Sequence, residues 1–528
     1  MKIARKLLAA FFLAGITLLL LDITGALHGW LGWMAKLQFL PAVLALNVGI
    51  IAALVLLTLV FGRIYCSVIC PLGVFQDLVS HFSAKSRKRR KIQPFRYRKP
   101  AKWLRYGVWA VFVLALIGGI HTIVALLAPF GAYARMVQNL LSPLYGWINN
   151  LLALIAERAE SYAFYRTEVW IRSIPVFVVA LASLIFIVFA SWTGGRNYCN
   201  SVCPVGTTLS FFSRFAMFRP VIDSDKCRNC KLCEHNCKAS CIDIEHHKID
   251  YSRCVDCFNC LSDCKFGAMK YKFAWRRQIA GQAGNDVSGQ AGNDVSGQDS
   301  APVMPVMPVM PVMPGKTGHP DAGRRAFIGS ALILGGTALH AREKKLRGNL
   351  AAVQEKRAPE RETPIIPPGS VSAKNLHDKC IACQLCVAAC PNGVLRPSSA
   401  PGHFMQPESS YERGYCRPEC TRCSEVCPTG AIVQIDRNQK SSIQIGHAVW
   451  VKENCLPATE GVGCSNCARH CPVGAIKMVP LDPENSKSRR IPSIDTERCI
   501  GCGACENLCP ARPLPAIYVE GHSVHKEV

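Results

Sequence analysis

Acidic residues are the scarce class in this chain: 36 Asp and Glu face 61 Lys and Arg, for a formal charge of +25. Charge of either sign is thin, at 18% of residues, while half of them are hydrophobic. That balance argues against one soluble globule, and 528 residues suffice for several domains. Histidine is sparse where a haem would need it, since only His121 lies inside a long apolar run. A complete disulfide framework is excluded because the 29 cysteines are odd in number, and they are too many for an enzyme with one reactive thiol. The abundance of thiol points to metal. The basic excess has to be judged by its placement.

Four stretches have the length and apolarity of membrane spans, for which about 20 residues cross roughly 30 Å of hydrocarbon. They lie near Leu7 to Leu27, Pro41 to Phe61, Leu104 to Ala128 and Ser173 to Thr193. Lys2, Arg5 and Lys6 precede the first, and an acid-free run from Lys85 to Arg105 separates the second from the third. The positive-inside rule puts both in the cytoplasm. The first outer connection holds only Lys36, and the second mixes Arg135, Arg158, Arg166 and Arg172 with Glu157, Glu160 and Glu168, so both face the periplasm. The basic run therefore reads as an orientation and lipid-facing signal rather than a nucleic-acid surface.

Residues 1–195 form the expected transmembrane domain and 196–275 a cytoplasmic cysteine-rich domain. Between 276 and 322 the chain repeats AGNDVSGQ twice and PVM four times, composition that cannot build a core and reads as a disordered linker. Residues 323–345 open with Gly323-Arg324-Arg325-Ala326-Phe327 before a short Gly-rich apolar run, the layout of a twin-arginine export signal or of a fifth transmembrane helix. Either reading puts 346–528 in the periplasm.

Cys227, Cys230, Cys233 and Cys237 follow CxxCxxCxxxC, and Cys254, Cys257, Cys260 and Cys264 repeat it. In this bacterial ferredoxin run three cysteines bind one cubane and the fourth reaches the other. Cys227, Cys230 and Cys233 are thus expected to pair with Cys264, and Cys254, Cys257 and Cys260 with Cys237; Cys241 is a spare, structural thiol. Four more groups follow: Cys380, Cys383, Cys386 and Cys390; Cys416, Cys420, Cys423 and Cys427; Cys455, Cys464, Cys467 and Cys471; Cys499, Cys502, Cys505 and Cys509. Their fourth cysteines leave two pairings open, exchange between neighbouring groups or the first group with the last. Zinc ribbons use two separated CxxC pairs, and disulfides do not explain three cysteines on one short loop. The expectation is six 4Fe-4S clusters.

The remaining cysteines form two matching motifs, Tyr65-Cys66-Ser67-Val68-Ile69-Cys70-Pro71 and Tyr198-Cys199-Asn200-Ser201-Val202-Cys203-Pro204, each just after an apolar span. Cys66, Cys70, Cys199 and Cys203 suit a metal site, a thiol redox pair or a docking surface. Helix capping alone would have to arise twice at equivalent places.

On these motifs the first 272 residues resemble NapH, the membrane ferredoxin-type subunit of the periplasmic nitrate reductase system. Residues 323–528 resemble NapG, its periplasmic partner, so the chain looks like a fusion of the two. The similar MauN and MauM pair of methylamine utilisation shares the plan. The nitrous oxide reductase regulator resembles residues 1–272 but carries a periplasmic flavin domain for which the loop from Gly29 to Leu40 has no room. The resemblance implies a multi-domain protein of the bacterial inner membrane: an α-helical four-span bundle plus α+β bacterial ferredoxin-like domains, two-cluster in the cytoplasm and four-cluster in the periplasm. It also implies a quinol dehydrogenase module that uses the quinone pool as membrane substrate and passes electrons to a periplasmic nitrate reductase or its cytochrome c subunit. A redox-responsive assembly or regulatory ferredoxin is the alternative. Ionisable residues at membrane depth are functional candidates, which singles out His121 and Asp22 as proton acceptors from quinol.

Overall fold

A computed structural model describes residues 1–22, 25–89, 95–161, 164–274, 346–347, 351–352, 354, 356–485 and 488–527. The chain divides into two units, Met1–Gln278 with Lys356–Val528, and Ile279–Glu355. In the second, the antiparallel pair Leu346–Arg347 and Ala351–Ala352 is described. The expected linker 276–322 and the twin-arginine segment 323–345 lie outside the described residues.

The larger unit begins with helices α1 (Lys2–Leu21), α2 (Leu27–Lys36), α3 (Phe39–Leu44), α4 (Val48–Phe61), α5 (Ile64–Val68), α6 (Pro71–Arg89), α7 (Lys102–Ile117), α8 (His121–Leu127), α9 (Pro129–Met136), α10 (Ser142–Arg158), α11 (Ile174–Gly194), α12 (Asn197–Ser201) and α13 (Pro204–Ser213). Among the described residues, α1 and α11 are long and apolar enough to cross a membrane. At about 1.5 Å per residue each reaches roughly 30 Å.

The second and third expected spans are interrupted. Leu46, at a φ of 53°, and the cap Asn47, whose side chain accepts from the Ile50 amide at 3.2 Å, separate α3 from the 14-residue α4. Gly118 and Gly119, the latter at a φ of 73°, end α7, and the chain restarts at His121. Hydropathy averages over such breaks because glycine is apolar enough to pass while its backbone leaves the helix. Ile16, Leu19, Leu20, Met34, Leu54, Phe112 and Ile187 fill the core, while Phe11, Leu56, Leu114, Ile185 and Phe189 point outward. Apolar side chains on both faces are what a lipid surround favours.

The first cysteine-rich segment pairs Phe218–Ile222 antiparallel with Met269–Phe273 and adds the hairpin Ile242–Asp243 with Lys248–Ile249. Phe218 stacks on Phe61 at 5.9 Å, fixing the segment to the end of α4. The C-terminal segment pairs Ile443–Trp450 with Ile517–Glu527, Ile476–Pro480 with Arg490–Ile494, and Leu395–Pro397 with Pro407–Ser409. Short helices, including Leu232–His235, Asn259–Asp263, Leu385–Ala389, Arg422–Val426 and Ala504–Leu508, complete these ferredoxin-type α+β segments. Such two-stranded sheets bury little on their own; cysteines make up much of their cores.

Candidate metal centres

Each regular run wraps its loop by turning the backbone left-handed on both sides of the second cysteine. Asn229 and Lys231 flank Cys230, Asp256 and Phe258 flank Cys257, Ala382 and Gln384 flank Cys383, and Gly501 and Gly503 flank Cys502, all at φ between 48° and 77°. For a residue with a Cβ this costs about 1–2 kcal/mol, so six non-glycine residues hold strained positions where the thiols gather. In the two irregular runs, Thr421 and Ser465, which follow the second cysteine, have negative φ, as their longer first gaps relax the loop.

The loops bring four thiols around each of three cavities. One of about 350 Å³ is lined by Cys227, Cys230, Cys233 and Cys264. One of about 410 Å³ is lined by Cys254, Cys257, Cys260 and Cys237, with Cys241 alongside. This is the crossed pairing that the spacing predicts. Cys241, 2% exposed, sits 3.6 Å from the Cys237 sulfur.

In the C-terminal segment a cavity of about 400 Å³ is lined by Cys455, Cys464, Cys467 and Cys509. Cys471 faces Cys499 and Cys502, Cys427 faces Cys380, Cys383 and Cys386, and Cys390 faces Cys416 and Cys423. Of the two pairings left open by the sequence, exchange between neighbouring groups is the arrangement seen.

The donor set fits iron-sulfur cubanes. The thiols surround volumes instead of converging on a point, and among the described residues no three His, Cys, Asp or Glu side chains have the geometry to hold a single metal ion. Tetrahedral zinc needs that convergence, with sulfurs at about 2.3 Å. The small-residue turn after the fourth cysteine also has a purpose: it aims amides at sulfur, Ile432 N at Cys427 at 3.4 Å and Ala475 N at Cys471 at 3.3 Å. Lys440, 4% exposed, places its ammonium 3.0 Å from the Cys416 sulfur.

Cys66, Cys70, Cys199 and Cys203 share one core and are each 4–5% exposed. Two arginines that the sequence reading passed over lock them together. Arg63 donates to the Cys199 carbonyl at 3.3 Å, and Arg196 to the Cys66 carbonyl at 2.5 Å. Both guanidiniums are fully buried. A Cβ on Gly73 would overlap the Cys66 carbonyl, and one on Gly206 the Cys199 carbonyl, so the glycine closing each motif has to be glycine. The signal was the repeated Gly-Arg before Tyr65 and Tyr198. Arg196 also binds Asp77 at 2.9 Å, as do Arg5 at 3.1 Å and Lys238 at 3.6 Å. Burial pushes the Asp77 carboxyl up, but these three cations overcome it and hold it well below the usual carboxylate range.

The Cys380 to Cys386 loop rests against the helical bundle. Arg135 of α9, fully buried, reaches the carbonyls of Ile381 and Ala382 at 3.5 Å, and Asn139 donates to Gln384 at 2.9 Å. His121, 4% exposed at the start of α8, lies 3.5 Å from Asp378 and 4.9 Å from the His377 ring. Asp22 caps α1 with one buried carboxylate oxygen that has no hydrogen-bond partner. His121 and Asp22 are not brought into contact with each other.

Residues 44–91 and 176–221 match a 4Fe-4S binding domain family, and 379–431 with 462–512 match a 4Fe-4S dicluster domain family. The first match covers both CxxxCP motifs. An uncharacterized protein of Methanocaldococcus jannaschii is 27% identical over 253 residues, 48% of this chain and 80% of that relative. Ferredoxin-type protein NapG of Escherichia coli is 29% identical over 235 residues, 40% of this chain and 93% of NapG. Methylamine utilization ferredoxin-type protein MauM of Methylophilus methylotrophus is 34% identical over 164 residues, 30% of this chain and 71% of MauM. No solved structure matches. The chain is an iron-sulfur, ferredoxin-type electron-transfer protein related to NapG, and it belongs to the family of MauM.

Proposed function

We propose that this protein is a membrane-anchored quinol dehydrogenase module that passes electrons from the quinol pool to a periplasmic reductase, with the nitrate reductase system as the leading partner. The observation that carries the reading is the seating of the Cys380 to Cys386 loop on α9 and the turn that follows it, through Arg135 and Asn139. It sets a thiol-lined centre directly against helices from the apolar part of the chain, where a lipid-soluble reductant arrives.

In this reading α1, α3 with α4, α7 with α8, and α11 are the four crossings, oriented by the basic run between α6 and α7. Residues 196–275 are cytoplasmic and 346–528 periplasmic. The six quartets hold six 4Fe-4S clusters, and Cys66, Cys70, Cys199 and Cys203 are a further candidate metal site, supported by their shared core and by the family match over both motifs. Bound cubanes supply one-electron acceptors, with potentials set by hydrogen bonds and burial. Oxidation of one quinol yields two electrons and two protons. His121, beside the half-exposed Asp378, and Asp22 are the groups placed to take those protons.

Mixing anaerobically purified full chain with a reduced quinol analogue tests the proposal. Rapid bleaching of the visible iron-sulfur absorption is expected. No bleaching, with the iron content intact, would remove the quinol reading and leave a redox-responsive assembly role in its place.

A further inference from the structure

Between α9 and α10 the helix widens for one π turn, Val137–Leu141. Such turns break the regular side-chain register and recur at functional sites. Here the turn borders an open cleft, which reaches the end of α1 at Leu21 and is lined on its far side by residues of the segment 164–172. We propose that this cleft is the binding site for the quinol headgroup, a refinement that rests on the quinol reading above.

Chemistry, position and surroundings support it. A quinol presents a flat ring with two oxygens on opposite edges and an apolar tail. Ligand sites of that kind are mostly apolar, with a few fixed polar groups. Leu21, Pro143, Phe164 and Trp170 supply apolar walls, while Gln138, Asn149, Glu168 and Arg172 belong to a polar share of about the same extent. Two of these are already fixed: Gln138 donates to the Leu20 carbonyl, and Arg172 lies 3.5 Å from the Gln138 side-chain oxygen. A preordered amide and guanidinium cost little to bring to a ring oxygen.

The cleft also adjoins the first C-terminal cysteine loop. Asn139 lines it and holds Gln384, the residue after Cys383, and the charge of Arg172 faces Cys390 and Cys386. Beyond the cleft, α10 turns Leu144, Trp147, Ile148 and Leu151 outward, each 48–57% exposed, and so offers an apolar track for an isoprenoid tail. Asp22 follows Leu21 directly, its unpartnered carboxylate oxygen buried. His121 sits instead by Asp378, whereas Asp22 adjoins the cleft through its neighbour Leu21.

The test is photolabelling of the full chain in lipid nanodiscs with azido-benzoquinone and azido-naphthoquinone probes, followed by peptide mapping. Label is expected on the peptides containing Gln138 to Asn149 and Phe164 to Arg172, competed away by excess unlabelled quinone. Ser142→Trp, which fills the cleft, is expected to cut that label at least tenfold, whereas Val433→Trp, at an exposed position outside the cleft, leaves it unchanged. Retained iron content and visible spectrum verify that both variants are folded. Competable label confined to the His121 and His377 peptides would overturn the cleft and keep the quinol reading. Cleft label displaced by phospholipid but not by quinone would overturn it in favour of a lipid site. Absence of competable label anywhere would sink both.

Discussion

The ammonium of Lys440 lies 3.0 Å from the sulfur of Cys416, with the carbonyls of Cys420 at 3.2 Å and Arg417 at 3.4 Å completing its surroundings. A buried cation on a ligand sulfur stabilises the more negative, reduced state. Lys440 comes from the helix Arg437–Ser442, which starts in a capping box between Asp436 and Gln439. Hydrogen bonds to a charged group are worth roughly 1.5–3 kcal/mol, which for one electron is on the order of 100 mV. Lys440→Met is therefore predicted to lower one midpoint potential by that order in an EPR-monitored redox titration. Lys440→Arg should lower it less, and the other centres should not move.

Arg196 joins Asp77, the Cys66 carbonyl and the core of both CxxxCP motifs. Arg196→Met takes one of three cations from the buried Asp77 carboxylate and leaves Arg5 and Lys238, so the loss should fall below the roughly 3–5 kcal/mol of a buried charge left with no partner. Arg196→Lys cannot reproduce the planar fork and should recover only part of the loss. Thermal unfolding followed by circular dichroism in detergent checks both variants. A melting temperature equal to wild type would contradict the network.

Gly503 stands at a φ of 77°, where a Cβ would run into the Tyr411 ring, itself fully buried and bonded to the Gly501 carbonyl at 2.7 Å. Gly503→Val should abolish the last loop, with a loss of about four iron atoms per chain. Iron analysis by mass spectrometry reads this directly. At Gly393 a Cβ would meet nothing, although the φ of 61° still favours glycine, so Gly393→Asn should be tolerated.

Acid should weaken the C-terminal segment. Burial, reinforced by the His522 charge, pushes the His525 imidazole down to about 4. A histidine depressed in the folded state contributes stability that is present above its unfolded value of about 6.5 and lost as pH falls towards 4. The loss is at most about 3 kcal/mol at roughly 1.4 kcal/mol per pH unit. Asp77, held low by its cations, adds a further loss below about pH 4. His525→Gln should flatten stability between pH 6.5 and 4, as measured by urea unfolding across that range.

The cysteine spacing made the crossed arrangement legible, Cys264 with the Cys227 to Cys233 loop and Cys237 with the Cys254 to Cys260 loop, because a tight CxxCxxC loop cannot send its fourth thiol back to its own cavity. It left the pairing of Cys390, Cys427, Cys471 and Cys509 open, since that depends on which loops pack together. Hydropathy located α1 and α11 but ran through the breaks at Leu46 and Gly119, which are backbone events in apolar sequence. The π turn at Val137 shifts the register by one residue and leaves no compositional trace. The contacts of His121 with Asp378 and of Arg135 with Ile381 join segments more than 240 residues apart, and no local pattern encodes them.

Thiol quartets that hold iron-sulfur clusters carry equal amounts of iron and acid-labile sulfide, which anaerobic determination per polypeptide reads out. About two dozen of each are expected from the six quartets, with any excess lost in a Cys66→Ser, Cys199→Ser double variant. A handful of metal ions per chain without labile sulfide would contradict the cluster assignment.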